Sequence, residues 1–143
     1  MPSAPNFETF FQRTQALFLV LEKNGCIVWL NDSWERVLGW TPEEMIGKRC
    51  KEYIHPDDAS DVMRKLGELA REGDTITFES RHQRIDGSWR WLLWDAQREG
   101  ATGRIYASAR DVTAIQTANR ILEGRQRLLT MIERIAKIGY WRY

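Results

Sequence analysis

Side chains that can carry out chemistry are few in this 143-residue chain. Its two histidines are His55 and His82, and only His55 lies close in sequence to carboxylates, at Asp57 and Asp58. A catalytic metal needs about three clustered ligands. The order His-Pro-Asp-Asp is better explained as a helix start, where acidic side chains favour the positive end of the helix dipole. Because no nucleophile–base pair and no glycine-rich phosphate loop is present either, the sequence predicts no catalytic residue, no metal site and no enzymatic activity.

Composition narrows the class of protein. Lysine plus arginine total 21 against 20 for aspartate plus glutamate, which leaves a net charge of +1. Binders of nucleic acid or of anionic membranes normally carry a basic excess. No apolar run, such as Leu17–Leu21, approaches the roughly 20 residues that cross a bilayer. With no secretory signal and too few cysteines for a disulfide framework, we expect a cytoplasmic domain that neither binds nucleic acid nor inserts into a membrane.

Turn signals and hydrophobic periodicity divide the chain into elements. Asn6 precedes aromatic residues at helical spacing, which predicts an amphipathic helix within residues 6–16. Asn24-Gly25 joins two apolar runs, which predicts a hairpin. Alternating patterns over residues 75–112 predict three more strands, so the chain is an α+β domain. Three further helix starts are marked by capping residues or by proline in the first turn, at Asn31–Ser33, Thr41-Pro42 and His55-Pro56.

A long helix is predicted over residues 114–138, because neither proline nor a turn cluster interrupts the pattern there. Its apolar residues form two neighbouring stripes, a face too wide to remain alone in water. Gly124 and Arg125 interrupt the seams of an ideal coiled coil. We expect contacts between the helices of two subunits, and the interface candidates on this helix are Leu122, Leu129 and Ile132.

Four segments resemble one known family in their order and spacing. They are residues 31–47 (NDSWERVLGWTPEEMIG), 55–58 (HPDD), 84–91 (RIDGSWRW) and 109–113 (ARDVT). None is strong alone, but together they resemble a PAS domain of the S-box/PAC type over residues 17–113. The order of elements deduced above agrees with this resemblance.

The resemblance implies a five-stranded antiparallel sheet in the order 2-1-5-4-3 with helices on one face. It also implies a sensory or relay module that dimerises and signals through its C-terminal helix to an output domain, a histidine kinase or a cyclic-dinucleotide enzyme such as a diguanylate cyclase. Residues 1–16 then form an N-terminal flanking helix, 17–113 the PAS domain and 114–138 the signalling helix. Residues 139–143 resemble the start of a second PAS domain, which implies the N-terminal module of a longer bacterial two-component sensor.

Function in this family lies in a ligand cleft and in the helices that lead out of it. Strand alternation puts His82 on one face with Phe78, where it is available to hydrogen-bond a ligand if that face lines the cleft. The ligand itself stays open. The ligand-cleft candidates are Phe78, His82, Leu92, Trp94 and Ala109.

Cys50 lies where LOV photoreceptors, a PAS subfamily, keep the thiol that adds to flavin. The residues around it differ from the LOV pattern. The flavin-contacting amides of those receptors fall here on His82, Leu92 and Ala109, none of which supplies the paired donor and acceptor of an amide. Haem would need His55 or His82 as its ligand, and His55 is already explained as a helix entrance. We therefore expect neither flavin nor haem, and we expect Cys50 to be a buried packing residue.

Helices can cover only one face of such a sheet, so the opposite face leaves aromatic side chains to be covered by something else. The N-terminal helix is one candidate cover and a second subunit is another, so we expect a homodimer. The candidates for this interface are Phe7, Phe10, Phe11, Trp89 and Trp91.

Asp111 and Thr113 are predicted to join the final strand to the long helix. Thr113 is placed to act as the N-cap, and Asp111 is placed to reach backbone groups or a basic side chain such as Arg110 or Arg104. Two other classes of function stay open. One is a structural dimerisation domain without a ligand, and the other is a small stand-alone α+β enzyme such as an isomerase.

Overall fold

The computed structural model describes residues 4–69 and 73–141, with side chains described as far as Lys137. Residues 1–3 of the predicted flanking segment, and Arg142 and Tyr143 of the predicted second domain, lie outside the described residues. In chain order the elements are α1 (Phe7–Arg13), β1 (Leu17–Leu21), β2 (Ile27–Leu30), α2 (Ser33–Leu38), α3 (Pro42–Met45), a 3₁₀ helix (Cys50–Tyr53), α4 (Pro56–Gly67), β3 (Thr75–Gln83), β4 (Trp89–Arg98), β5 (Ile105–Asp111) and α5 (Thr113–Trp141).

The five strands form one sheet in the order β2-β1-β5-β4-β3. Every neighbouring pair is antiparallel. The α+β class, the five-stranded sheet and its strand order are therefore confirmed. In the register of the last three strands, Phe78 lies opposite Trp94, His82 opposite Arg90, and Leu92 opposite Asp111.

The core lies between the inner face of the sheet and the short helices. Trp34 of α2 is fully buried, and its indole N–H donates to the backbone carbonyl of Phe18 in β1 at 2.9 Å. The Trp34 ring contacts the rings of His82 and Trp94, with centroids 5.3 and 6.0 Å away. Helix α2 is thus held to three separate strands, β1, β3 and β4, by one side chain.

The end of α2 also positions the β3–β4 turn. Gly39 caps the helix with φ at 90°, a conformation that favours glycine, and a Cβ there would overlap the side chain of Ile85. The backbone N–H of Ile85 donates to the carbonyl of Leu38 at 2.9 Å. The turn that follows His82 is therefore anchored to the helix that carries Trp34.

Two helices differ from their predicted bounds. Helix α1 ends at Arg13, because Thr14 turns to an extended conformation and its hydroxyl accepts from the N–H of Ala16 at 3.2 Å. Helix α5 runs from Thr113 to Trp141 and so extends beyond the predicted 114–138 at both ends. A single glycine such as Gly139 costs a helix only about 1 kcal/mol relative to alanine and does not by itself end it.

Residues 113–143 cluster as a compact unit separate from residues 1–112. None of the described helices is long and apolar enough to cross a membrane. The large apolar side chains that the structure describes on α5 are exposed, and they are Ile115, Ile121, Leu122, Leu128, Leu129, Met131, Ile132 and Ile135.

Asn31 is a fully buried polar residue that ties the N-terminal segment to the sheet. Its side-chain amide donates to the carbonyls of Phe11 at 2.6 Å and Ala16 at 3.0 Å. Its side-chain oxygen accepts from the N–H of Phe18 at 3.0 Å. One amide therefore satisfies three backbone groups, which explains why a polar residue is stable in this part of the core.

Replacing this amide by an apolar group of similar size should destabilise the domain strongly. Asn31→Leu leaves three backbone groups without their partner, and we expect it to lower the free energy of unfolding by about 3 kcal/mol. The measurement is urea denaturation. The matched control is Asn24→Ala, which removes one exposed hydrogen bond to the N–H of Cys26 and should cost less than about 1 kcal/mol. Equal losses in the two variants would contradict this role of Asn31.

Candidate functional site

A small cavity lies between the inner face of the sheet and the helices α2, α3 and α4. Its free volume is about 20 Å³, which is enough for about one water molecule. The walls are apolar and aromatic except for His82, whose side chain is 2% exposed. The lining residues are Leu19, Leu21, Ile27, Trp34, Met45, Cys50, Ile54, Val62, Leu66, Phe78, His82, Trp94, Ala96 and Ala107.

His82 is enclosed by aromatic rings. The ring of Tyr53 stacks on it at 6.0 Å, while those of Trp34 and Trp94 lie 5.3 and 6.1 Å away. Burial lowers the pKa of His82 from 6.5 to about 3, so the imidazole is uncharged near neutral pH. A neutral imidazole presents one N–H donor and one nitrogen acceptor.

Two residues that line the cavity carry polar atoms without a hydrogen-bond partner among the described residues. These atoms are both ring nitrogens of His82 and the indole nitrogen of Trp94. The hydroxyl of Ser80, fully buried two residues before His82 in β3, also lacks a partner, but Ser80 does not line the cavity. Buried polar side chains in folded proteins are nearly always hydrogen-bonded, so His82 and Trp94 are the cavity residues whose polar atoms a molecule in this space could contact.

The register explains which predicted cleft residues meet in the cavity. Phe78, His82 and Trp94 line it, because β3 and β4 pair with these side chains on the inner face. Leu92 and Ala109 are equally buried on that face but do not line the cavity. Ala109 has Leu17 and Trp94 as its neighbours across the sheet, so larger side chains flank it on both sides.

Alternation along the strands could not predict the other residues that line the cavity. Trp34, Met45, Cys50 and Ile54 come from the helices and loops between β2 and β3. Burial raises the pKa of the Cys50 thiol to about 11, so the thiol stays protonated near neutral pH. Ser80, the third residue with an unpartnered polar atom, shares a strand face with His82 and is detectable from sequence only by that alternation.

His55, Asp57 and Asp58 have a structural role at the start of α4. The Nδ1 atom of His55 accepts from the backbone N–H of Asp57 at 3.1 Å and so caps the helix. Asp58 accepts from the N–H and guanidinium of Arg81 at 2.8–2.9 Å, and these bonds lower the pKa of the carboxyl. Among the residues that the structure describes, no group of three or more His, Cys, Asp or Glu side chains is placed to hold a metal ion.

An ion pair lies at the exit of the sheet. The Nε atom of Arg90 donates to Oδ2 of Asp111 at 2.7 Å. The sequence predicted backbone groups or a basic side chain, such as Arg110 or Arg104, as the partner of Asp111. The basic side chain that the structure places there is Arg90, because Asp111 faces Leu92 across the sheet and Arg90 lies on the adjoining diagonal. Arg104 instead pairs with Glu22 at 3.2 Å.

The outer face of the sheet carries an open groove of about 770 Å³. Phe11 of α1 packs against Phe18 at one side of it, with ring centroids 4.8 Å apart. Phe7 and Phe10 do not line the groove and are 65% and 62% exposed, although the Phe10 ring packs edge-on against Phe11 with centroids 5.8 Å apart. The groove is lined by Phe11, Phe18, Leu19, Val20, Trp29, Thr75, Thr77, Asp95, Ala96, Gln97, Tyr106, Ala107 and Ser108.

Trp89 and Trp91, the other predicted interface residues on the sheet, do not line this groove. The Trp89 ring packs on the His55 ring with centroids 4.6 Å apart. The guanidinium of Arg81 lies over the Trp91 ring at 5.2 Å. Both indoles are therefore partly covered by the chain itself, next to the start of α4.

The uncharged state of His82 should give the domain a distinct pH dependence. The unfolded chain binds a proton at this residue below pH 6.5, whereas the folded chain does so only near pH 3. Stability is thus fully present above 6.5 and falls with decreasing pH, by about 1.4 kcal/mol per pH unit. His82→Phe should flatten urea-derived stability between pH 6.5 and 4.5. Phe78→Leu, a cleft variant without a titratable group, should keep the slope, and an unchanged slope in His82→Phe would refute this assignment.

Comparison with known proteins agrees with this architecture. A family model described as PAS fold matches residues 11–116. The two-component sensor PprA of Pseudomonas aeruginosa is 22% identical over 143 residues, which cover 96% of this chain and 15% of that protein. The chain spans between 12% and 15% of the length of the curated relatives that it matches.

Solved structures share the fold. A sensory box histidine kinase/response regulator from Burkholderia thailandensis superposes with a TM-score of 0.69 at 23% identity, covering 89% of this chain and 99% of that one. The PAS domain of the RpfR quorum-sensing receptor from Cronobacter turicensis, in complex with BDSF, superposes with a TM-score of 0.62 at 22% identity, covering 71% and 97%. Because the matched residues 11–116 contain all five strands and the helices that enclose the cavity, the chain belongs to the PAS family.

Proposed function

We propose that this PAS domain is a sensory module that receives its signal at the inner-face cavity and passes it through β5 and α5 to an output domain. One observation carries the proposal, namely the position of Arg90. It is the direct cross-strand partner of His82, and its guanidinium holds Asp111 at the end of β5. A change around His82 therefore acts on the residue pair that precedes the long helix.

Backbone contacts support the same route. The N–H of Val112 donates to the carbonyl of Trp91 at 2.8 Å, so β4 holds the last residue before α5 by its main chain as well. A ligand shifts such an equilibrium only by binding one arrangement better than the other. The proposal gives Asp111 and Thr113 the role of joining the sheet to the helix, and it gives the segment no catalytic role.

The relatives favour a histidine kinase as the output domain. One is named a two-component sensor and one solved structure a sensory box histidine kinase/response regulator. A cyclic-dinucleotide enzyme is the alternative output. The free thiols of Cys26 and Cys50 suit a cytoplasmic location.

The proposal includes a homodimer. Leu122, Leu129 and Ile132 expose between 50% and 59% of their surface on α5. An apolar face of this width is stable in water when it packs against another helix. The exposed Phe7 and Phe10, together with the groove on the outer face, offer a second apolar surface for the partner subunit.

A ligand-free dimerisation domain is the second candidate function. The small free volume of the cavity favours it, because side chains of the chain itself occupy nearly all of the space. The unpartnered polar atoms of His82 and Trp94, which line the cavity, favour a ligand instead. Both candidates share the dimer and the long helix, and they differ in whether a small molecule binds in the cavity.

Breaking the ion pair at the exit should alter signalling while leaving the domain folded. We expect Asp111→Asn in the full-length sensor to change basal output, measured as autophosphorylation or cyclase rate, with an unchanged circular dichroism spectrum. Arg90→Gln should give the same change, and the double variant should add nothing further. The matched control is Glu22→Gln, which removes the ion pair between Glu22 and Arg104 at the opposite end of β5. Normal output from Asp111→Asn would reject the proposed route.

The dimer should depend on the apolar face of α5. Leu129→Lys puts a charge on that face and should weaken association in sedimentation equilibrium, because the dimer then has to bury an unpaired ammonium group. Gln126→Lys adds the same charge at an exposed polar position of the same helix and should leave association unchanged. A monomeric wild-type chain at tens of micromolar would contradict the homodimer itself.

A further inference from the structure

We propose that the ligand of the cavity is a small uncharged molecule with an aromatic body and one hydroxyl-type group, and that the site rejects carboxylates. This inference rests on the proposed function, in which the cavity is the sensing site. It goes further by naming the chemical class of the ligand from the atoms that would contact it.

The lining offers no charge to an ionic ligand. Every wall residue other than His82 has an apolar or aromatic side chain or a thiol that stays protonated. A carboxylate in this site would lose its hydration without gaining a cation, which is strongly unfavourable. Three cations on the strands and helices around the cavity have carboxylate partners, Lys65 with Asp61 at 3.0 Å, Arg81 with Asp58 at 2.8 Å and Arg90 with Asp111 at 2.7 Å.

The unpartnered atoms call for a group that both donates and accepts. Of the cavity residues, Trp94 has an indole N–H that can only donate, and neutral His82 has one donor and one acceptor. A ligand hydroxyl accepts from one of the N–H groups and donates to the free imidazole nitrogen. A hydrocarbon would leave all of these atoms unsatisfied, which costs about 1–3 kcal/mol for each buried group.

The walls favour an aromatic body of limited size. The rings of Trp34, Tyr53 and Trp94 surround His82 at 5.3–6.1 Å, and aromatic rings pack well edge-to-face or offset at such distances. Since the free volume is about 20 Å³, a ligand larger than water must displace a side chain. Met45, whose side chain is flexible, and the partly buried Leu66 of α4 are the wall residues best able to move.

Three probes of one ring size separate the possibilities: phenol, toluene and benzoate at neutral pH. Binding is followed in the intact chain by the indole ¹H–¹⁵N resonance of Trp94, which is assigned by its loss in Trp94→Phe. We expect phenol to shift this resonance and to bind roughly ten- to a hundredfold more tightly than toluene, as two added buried hydrogen bonds predict. Benzoate should produce no shift at millimolar concentration.

Variants of the polar residues test the assignment. His82→Phe should reduce the preference for phenol over toluene towards unity, whereas Ser80→Ala, at a buried residue outside the lining, should keep it. The comparison of the three probes in the wild type keeps the test available should His82→Phe fail to fold. Leu66→Ala enlarges the cavity and should raise the affinity for phenol. Equal binding of toluene, or binding of benzoate, would overturn the ligand class while leaving the cavity as a sensing site. Absence of binding by all three probes to both the wild type and Leu66→Ala would overturn it as well, in favour of a site that holds water alone. The route through Asp111 is tested separately by the output of the Asp111 variant, so the two proposals fail in different experiments.

Discussion

The structure depends on an imidazole that is buried without a partner. His82 lies in β3 between the rings of Trp34, Tyr53 and Trp94, and burial keeps it uncharged. Its two nitrogens need partners that the chain does not provide among its described residues. The same burial therefore has two consequences. It makes the stability depend on pH in the range where histidine titrates, and, in the proposed sensing site, it leaves one donor and one acceptor for a neutral ligand.

The antiparallel register connects this residue to the rest of the chain. His82 pairs with Arg90 on β4, and Arg90 reaches diagonally to Asp111 on β5. The connection needs no mobile loop, because three adjacent strands carry it through direct neighbours. It also explains why the exit pair is not formed with a nearby residue in sequence. Partners in a sheet are set by strand pairing, and a residue 21 positions away is closer in space than the adjacent Arg110, whose side chain points to the other face.

The fold was predictable because its signals are local and redundant. Asn24-Gly25, Thr41-Pro42 and Asp86-Gly87 each mark a turn or a helix start, and alternation assigns the strand faces between them. The same alternation identified Phe78, His82 and Trp94, which share one face by the period of the pleat. It could not place Trp34 or Met45 against them, because the angle at which a helix crosses a sheet is a property of tertiary packing. Alternation also placed Leu92 and Ala109 on this face, but they do not line the cavity. Sharing a face of the sheet does not decide which buried side chains border a cavity of this size. Predicting Arg90 as the partner of Asp111 requires the register of β4 against β5. Periodicity alone does not fix this register, because a shift by two residues in either direction keeps the same side chains on the same face.

The near-filled cavity and its unpartnered atoms fit together in a sensor. Each buried polar group without a partner costs about 1–3 kcal/mol, and the whole domain is expected to be stable by only about 5–15 kcal/mol. Leaving the polar atoms of His82 and Trp94 without partners would therefore cost a sizeable fraction of that stability. A ligand hydroxyl that accepts from one N–H and donates to the imidazole contributes about 1–3 kcal/mol through these two bonds, a part of the roughly 5.5 kcal/mol needed to move a two-state equilibrium from 1:99 to 99:1. Because the free volume is only about 20 Å³, such a ligand also has to displace a wall residue, so that binding and rearrangement occur as one event. The alternative, a purely structural domain, has no use for these atoms, because apolar residues at the same two positions would pack the core more stably.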